Sequence, residues 1–174
     1  IGSGPDALLC RDHSGRRHLD PVDQITLEWA GVERRYHAAM MRTVPVGEAT
    51  PRHRAMHEAA VACMAACEAA LQPGRPVGEA FDAYARVADA HGLQPHRLNA
   101  TGYSLGTTFQ PNWMDWPMLY HGNGLEARPG MVFFIHIILM DSDSGTAMCP
   151  GHTVEVTETG SRCLSRHGLD LVVR

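Results

Sequence analysis

The chain has 174 residues, 44% of them hydrophobic, and a formal net charge of −4 from 15 basic and 19 acidic side chains. This length suits a single domain with a sizeable core. The charges are interspersed, so no basic stripe indicates a nucleic-acid partner, and no run approaches the roughly 20 apolar residues of a membrane span. The five cysteines lack zinc-ribbon spacing, which favours a reducing, cytoplasmic location.

The first predicted elements form a hairpin. Residues 25–30 are typical of a strand, although Glu28 interrupts its apolar run, and residues 31–34 can turn the chain into a second strand over residues 36–44. Thr50 and Pro51 are typical of a helix N-cap and first helical position, so a helix is predicted to begin there.

Helical spacing of apolar residues continues from Pro51 until Pro73-Gly74, which ends the first helix. In this helix we interpret His53 and His57 as part of a solvated face. A second helix is predicted over residues 77–90, and three strands follow at residues 99–109, 131–140 and 153–157. This order predicts an α+β fold with helices packed on one face of a mainly antiparallel sheet.

Four sequence segments resemble those of a known superfamily. They are LEWAGVERRYHAAMMRT at residues 27–43, TGYSLGTTFQPNWMDWP at 101–117, RPGMVFFIH at 128–136 and CPGHTVEVTETG at 149–160. In order and spacing they resemble the catalytic "pita-bread" domain of creatinase, prolidase, aminopeptidase P and methionine aminopeptidase. The resemblance covers nearly the whole chain and implies a curved, mainly antiparallel sheet and a homodimer. We therefore expect one catalytic domain over residues 1–174, N-terminally truncated, without the first helix and a separate N-terminal domain.

The resemblance also implies five metal-ligand positions, and none of them keeps the ligand of the family. They fall on Glu28, Ala39, Tyr103, His136 and Gly151. A dinuclear centre needs several oxygen donors around each ion, but alanine and glycine offer no side-chain donor. We therefore expect no metal and no other cofactor.

The resemblance further indicates a kind of reaction. Creatinase and ectoine hydrolase show that this fold can act on small nitrogenous compounds without a metal. The segment Gly102-Tyr103-Ser104-Leu105-Gly106, followed by Pro111-Asn112-Trp113, is more similar to ectoine hydrolase than to the peptidases. We expect a hydrolase that cleaves a C–N bond of amide, amidine or ureido type in a small metabolite.

Glu28 is the main catalytic candidate. Without a metal-bound hydroxide, side chains must supply the nucleophile and move the protons, and a carboxylate in a core strand can act as a general base or as a covalent nucleophile. The alternative is a structural glutamate paired with Arg34, Arg35 or Arg42.

Three further residues are candidates for catalytic roles. His136 interrupts the apolar run FFIHIILM and is expected to give a proton to the leaving nitrogen, or to contact the substrate. Tyr103, after a glycine that allows a tight turn, could donate to a developing oxyanion. His37 lies beside the altered second ligand position and is a weaker candidate.

The substrate pocket is predicted from two segments. Trp113, Asp115 and Trp116 lie close together in a predicted loop at residues 112–117, and an aromatic pair with a carboxylate suits a cationic group. The loop could equally be held to the core or to a dimer interface by its tryptophans. Arg11 or His13 could bind a substrate carboxylate, since creatinase-like enzymes place a histidine there. We expect a cationic or zwitterionic substrate.

Other functions remain open at this stage. One is a metal-dependent Xaa-Pro aminopeptidase or dipeptidase with an altered ligand set, and another is a non-catalytic family member that binds a ligand or partner. Glu28, His136 and His152 could also hold a single metal ion. In a strand, however, the side chain at 152 should face away from that at 151, which argues against this set.

Overall fold

The protein is described by a computed structural model, which covers residues 1–9, 14–109 and 111–174. The described residues form ten strands and two α-helices. The helices are α1 (Pro51–Ala70) and α2 (Gly78–Ala90). The strands are β1 (Gly2–Ser3), β2 (Asp23–Glu33), β3 (Tyr36–Val46), β4 (Ala100–Ser104), β5 (Asp115–Tyr120), β6 (Val132–His136), β7 (Leu139–Asp141), β8 (Thr146–Met148), β9 (Gly151–Thr157) and β10 (Gly160–Cys163).

The main sheet is antiparallel and follows the order β1-β2-β3-β9-β6-β4-β5, with β10 also paired to β9. A separate two-stranded sheet is formed by β7 and β8. Both helices pack against one face of the main sheet, where their side chains share a buried cluster with those of β6 and β9. This confirms the predicted α+β fold. Within the described ranges, no helix has the length and apolar character needed to cross a membrane.

Strand β6 divides its side chains between the two faces of the sheet. Phe133 and Ile135 point into the cluster beneath the helices, whereas Phe134 belongs to a second buried cluster on the opposite face. His136 is on the side of Phe134, because side chains alternate along a strand. Full burial of each such apolar side chain contributes about 1.5–3 kcal/mol, so both faces of β6 stabilise the fold. The second cluster forms the wall of the candidate site.

The two halves of the main sheet meet where β3 approaches β9. The strand pairing there joins Met41 to Gly151. Two residues further along β9, the side chain of Thr153 also joins the two strands. Its hydroxyl accepts from the Ala39 N–H and donates to the Ala39 carbonyl, both at 2.9 Å. The hairpin that carries Glu28 is therefore fixed to the strands that carry Tyr103 and His136.

Helix α1 begins with a capping box that includes a buried histidine. Thr50 Oγ1 accepts from the His53 N–H at 3.2 Å, and His53 Nδ1 accepts from the Thr50 N–H at 3.3 Å. The other ring nitrogen of His53 lies 3.1 Å from Gln24 Oε1. Burial lowers the pKa of His53, so the neutral ring suits these contacts. The interpretation of His53 as part of a solvated face is wrong, because its ring replaces the carboxylate of a usual capping box.

Thr50→Ala is expected to reduce the free energy of unfolding by about 1 kcal/mol, because the first turn of α1 loses its side-chain acceptor. Thr50→Ser keeps the hydroxyl and serves as the matched control. Urea denaturation followed by circular dichroism measures both. Equal stability of the alanine and serine variants would show that the cap contributes nothing.

Several strand predictions need correction. The predicted strand at residues 99–109 ends as β4 at Ser104, and the predicted turn at residues 31–34 starts later because β2 extends to Glu33. The predicted strand at residues 131–140 is interrupted after His136, where the Ile137 N–H turns to the Pro150 carbonyl at 2.8 Å and β7 starts a separate sheet. The predicted loop at residues 112–117 becomes β5 from Asp115 onward. β5 contains Pro117, and it lies at the edge of the sheet, where a missing N–H is tolerated.

Candidate active site

Three sequence-distant side chains form a hydrogen-bonded chain on the sheet face opposite the helices. The indole Nε1 of Trp113 donates to the Tyr103 hydroxyl oxygen at 3.0 Å, and that hydroxyl donates to Glu28 Oε1 at 3.2 Å. Tyr103 is fully buried, whereas Glu28 is half-buried. Because the indole can only donate, it directs the phenolic hydrogen towards the carboxylate. Glu28 Oε1 is therefore the acceptor at the end of this chain.

Aromatic packing places His136 beside this chain. The rings of Tyr103, Phe134 and His136 form a triangle with all three centroid separations at 5.5 Å. The backbone of His136 is held by Thr101, whose hydroxyl donates to the His136 carbonyl at 3.1 Å. The histidine is only 6% exposed, so its imidazole lies in a site shielded from bulk water.

Gly102 positions Tyr103 in a different way from the one predicted. The sequence favoured a tight turn at this glycine, but it lies inside β4, and an added Cβ would come within 2.4 Å of the Phe134 carbonyl oxygen and 2.9 Å of Leu119 Cδ1. The glycine is required because β4 approaches β6 closely there. This close approach brings the Tyr103 ring against Phe134 and His136.

The space that a side chain at position 151 would need is filled by an aromatic ring. An added Cβ at Gly151 would lie 2.7 Å from Phe134 Cζ and 2.9 Å from its Cε2. Ala39, the other ligand position without a donor, is 1% exposed, and its backbone is bonded to Thr153. A pair of metal ions needs bridging carboxylates, and here an apolar ring and a methyl group occupy two of the five positions. The residues present do not fit the dinuclear centre of the family.

The arginines that could have neutralised Glu28 lie elsewhere. Arg42 donates from Nη1 to the carbonyls of Met41 and Gly151, both at 2.7 Å, and burial lowers the pKa of its guanidinium. Arg34 lies 3.5 Å from Glu33, and Arg35 stacks over the Phe109 ring at 4.7 Å from its centroid.

Among the described residues, Glu28 therefore has a tyrosine partner instead of an arginine partner. The structural ion pair that the sequence left open is not observed.

A cavity of about 570 Å³ adjoins the hydrogen-bonded chain, and the indole of Trp113 is shared by both. Among the described residues its lining is Val32, Arg35, His37, Thr108, Phe109, Pro111, Asn112 and Trp113. The His37 side chain contacts Thr108 Oγ1 at 3.2 Å and therefore faces this cavity. The cavity combines aromatic rings with one guanidinium, which suits a small substrate that carries an anionic group.

Asp115 and Trp116, which were also predicted to line the pocket, are not among the lining residues of this cavity. Trp116 lies on β5, 63% exposed, with its ring 6.1 Å from that of Tyr120. Asp115 is exposed and its carboxylate accepts from the Trp116 N–H at 2.8 Å. Arg11 and His13 lie outside the described residues. Of the predicted aromatic pair with a carboxylate, only Trp113 lines the cavity.

His152 faces away from the candidate site. Its Nε2 is hydrogen-bonded to Glu68 of α1, on the helix side of the sheet, as strand alternation predicted. The set of Glu28, His136 and His152 is therefore not assembled.

Sequence reasoning also missed Phe134. Its position two residues before His136 on one strand is the signal that could have placed both side chains on one face.

The sequence is similar to known families over nearly its whole length. The model of metallopeptidase family M24 matches residues 1–158. A relative from Sinorhizobium fredii, described as an uncharacterized hydrolase/peptidase y4tL, is 31% identical across 98% of this chain. Methionine aminopeptidase B of Synechocystis is 29% identical across 81% of this chain. The chain spans 42% and 56% of the lengths of these two relatives.

Solved structures agree with the fold. Dipeptidase PepE from Mycobacterium ulcerans superposes with a TM-score of 0.90 at 24% identity, over 99% of this chain and 45% of that one. The prolidase from Pyrococcus horikoshii superposes with the same TM-score at 17% identity, over 99% of this chain and 48% of that one. The pita-bread fold implied by the sequence is thereby confirmed.

Proposed function

Because the chain belongs to metallopeptidase family M24, we propose that the protein is a hydrolase of C–N bonds that works without the metal pair of that family. The observation that supports this most directly is the Trp113–Tyr103–Glu28 chain on the sheet face where the family ligands would lie. In addition, the Phe134 ring fills the space that a carboxylate side chain at position 151 would need. The alternative of a metallopeptidase would need other donors in place of Ala39 and Gly151, because neither side chain offers one.

Glu28 supplies the basic or nucleophilic oxygen in this proposal. Its carboxylate either removes a proton from a water that adds to the electrophilic carbon, or attacks that carbon itself. Tyr103 holds the carboxylate through one hydrogen bond, and the Trp113 donor makes the phenol a stronger donor by polarisation along the chain. On substrate binding, the same phenol can turn to the oxygen or nitrogen on which negative charge develops.

His136 supplies the proton for the leaving nitrogen. A C–N bond breaks readily only if the nitrogen leaves as a neutral amine, so a donor must lie beside it. The imidazole of His136 packs on the Tyr103 ring, next to the group that orients Glu28. Because His136 is almost completely buried, bulk water does not compete with it as a proton donor. His37, on the cavity wall, is proposed as a substrate contact or secondary proton carrier.

The lining of the cavity is compatible with a zwitterionic substrate. Arg35 offers a fork of donors for a carboxylate, and the indole of Trp113 offers a face to a cationic amidine or ammonium group. The cavity volume of about 570 Å³ is within the usual range for small-molecule sites. We propose a creatinase-like or ectoine-hydrolase-like reaction on an amidine, ureido or amide bond of such a compound.

Turnover after metal removal tests this proposal. The purified protein, dialysed against a chelator and assayed in its presence, is presented with creatine-like, ectoine-like and other cyclic amidine or ureido compounds. We expect hydrolysis of at least one of them, with a rate that added Mn²⁺, Co²⁺ or Zn²⁺ does not raise. A Xaa-Pro dipeptide serves as the comparison. Cleavage of the dipeptide that depends on added metal would contradict the proposal and support the metallopeptidase.

A further inference from the structure

Three side chains with metal-binding atoms meet on the helix side of the main sheet. They are Glu68 of α1, His152 of β9 and Cys163 of β10, and one donor atom from each lies within 4.8 Å of the other two. Each comes from a different element, so the cluster connects the helix layer to the sheet. Glu68 and His152 are hydrogen-bonded to each other, and the Ser161 hydroxyl donates to the Glu68 carbonyl at 2.8 Å.

The strand pairing explains why the three side chains face the same way. Cys163 is paired with Val154 across β9 and β10, and Val154 packs into the cluster beneath the helices. Residues 152 and 154 lie on one face of β9, since side chains alternate along a strand. His152 and Cys163 are therefore neighbours on the face that α1 covers, with Glu68 above them.

The charges that act on Cys163 are the Glu68 carboxylate and the Arg42 guanidinium, of which only Glu68 belongs to the cluster. Glu68 lies in the last turn of α1, at the negative end of the helix dipole, and no basic residue occupies that turn. A divalent ion bound by a carboxylate, a thiolate and a neutral imidazole would give a net charge of zero. Donors around a tetrahedral zinc ion lie roughly 3.3–3.7 Å apart at the usual bond lengths, so a bound ion would replace the direct hydrogen bond between Glu68 and His152 and separate their two donor atoms.

We propose that Glu68, His152 and Cys163 form a binding site for a single Zn²⁺-like ion. The imidazole Nε2, one carboxylate oxygen and the thiolate are three ligands of the types that zinc prefers. Cys163 is exposed, so a water completes the fourth position from solvent. Such an ion would hold the C-terminal part of α1 to the β9–β10 hairpin.

This site is separate from the proposed chemistry. His152 and Gly151 are adjacent in sequence, but their side-chain positions lie on opposite faces of β9, one towards α1 and the other towards Phe134. The ion would therefore act on the stability and position of β9 without touching Glu28. Binding at this site and hydrolysis at the other can fail independently.

Titration of the metal-free protein with Co²⁺ tests the site, because a thiolate bound to Co²⁺ gives a charge-transfer absorption in the near ultraviolet. We expect one Co²⁺ per chain, displaced by Zn²⁺. Cys163→Ser should remove this band, and Glu68→Gln should weaken Co²⁺ binding by more than the ~10–100-fold that loss of an outer-shell partner costs. Zn²⁺ should raise the Tm of the unaltered protein and leave that of Cys163→Ser unchanged.

Two control variants locate the ion. His121 and Asp82 form an exposed pair at 2.8 Å without a thiol, so His121→Gln should bind Co²⁺ as the unaltered protein does. Glu28→Gln should bind it equally well. The proposal is overturned if no Co²⁺ binds, if the charge-transfer band survives in Cys163→Ser, or if Glu28→Gln removes the binding.

Discussion

Glu28→Gln is expected to lower kcat by about 10³-fold, since a missing general base costs roughly 10²–10⁴-fold and a missing nucleophile more. The glutamine keeps a side-chain oxygen that can accept the hydrogen bond that the Tyr103 hydroxyl donates to Glu28 at 3.2 Å. The free energy of unfolding should change by less than about 1 kcal/mol, because the side chain is only half-buried. Steady-state assays and urea denaturation on the same preparation separate the two effects.

Glu33→Gln is the matched control, because Glu33 lies on the same strand with a side chain that is 87% exposed. It should retain full activity. Single turnover in ¹⁸O water then distinguishes the two roles of Glu28. Hydrolysis of a covalent intermediate at the Glu28 carbonyl carbon places the heavy oxygen in that carboxylate, whereas general base catalysis leaves the carboxylate unlabelled and places the heavy oxygen in the product. Activity of Glu28→Gln equal to that of Glu33→Gln would refute the mechanism.

Gly151→Ala is expected to lower the free energy of unfolding by about 1–3 kcal/mol, as over-packing of a core does. The new methyl group would meet the Phe134 ring at 2.7 Å and the Ile135 carbonyl oxygen at 3.1 Å. Phe134→Leu removes the ring edge, so in that background the same substitution should cost at least ~0.5 kcal/mol less, as coupled neighbours do. The full double-mutant cycle is measured by chemical denaturation.

Gly31→Ala provides the control, because an added Cβ there meets nothing within 4 Å. Its stability should equal that of the unaltered protein or slightly exceed it. Strict additivity of Gly151→Ala and Phe134→Leu would show that the ring does not fill the position at 151.

Local signals in the sequence predicted much of the fold. The turn between two apolar runs placed the β2–β3 hairpin, and the Thr50-Pro51 and Pro73-Gly74 signals placed the ends of α1. These features depend on neighbours in the chain, where propensity and capping act directly. The β5 strand was missed because it contains Pro117, which is tolerated only at a sheet edge, and the edge position is not visible in the sequence.

The sequence proposed members of the candidate site but not the contacts between them. Family spacing pointed to Glu28, Tyr103 and His136, which remain candidates, and in the structure Tyr103 contacts the other two. The donation from Trp113 to Tyr103 could not be read from spacing, since it depends on how the segment after β4 folds back. The exposure of Trp116 was equally hidden, because Trp116 lies on β5 whereas Trp113 lies in the segment before that strand.

The contact between Phe134 and Gly151 also bears on how this branch of the family could change over time. Restoring a carboxylate at 151 would first collide with the ring, and removing the ring first would open a void in a fully buried cluster. Either order passes through a less stable protein, and Ala39 would still lack a donor. Under the proposed function, a return to a carboxylate at 151 would therefore require coordinated changes at 134 and 151 and a new donor at 39.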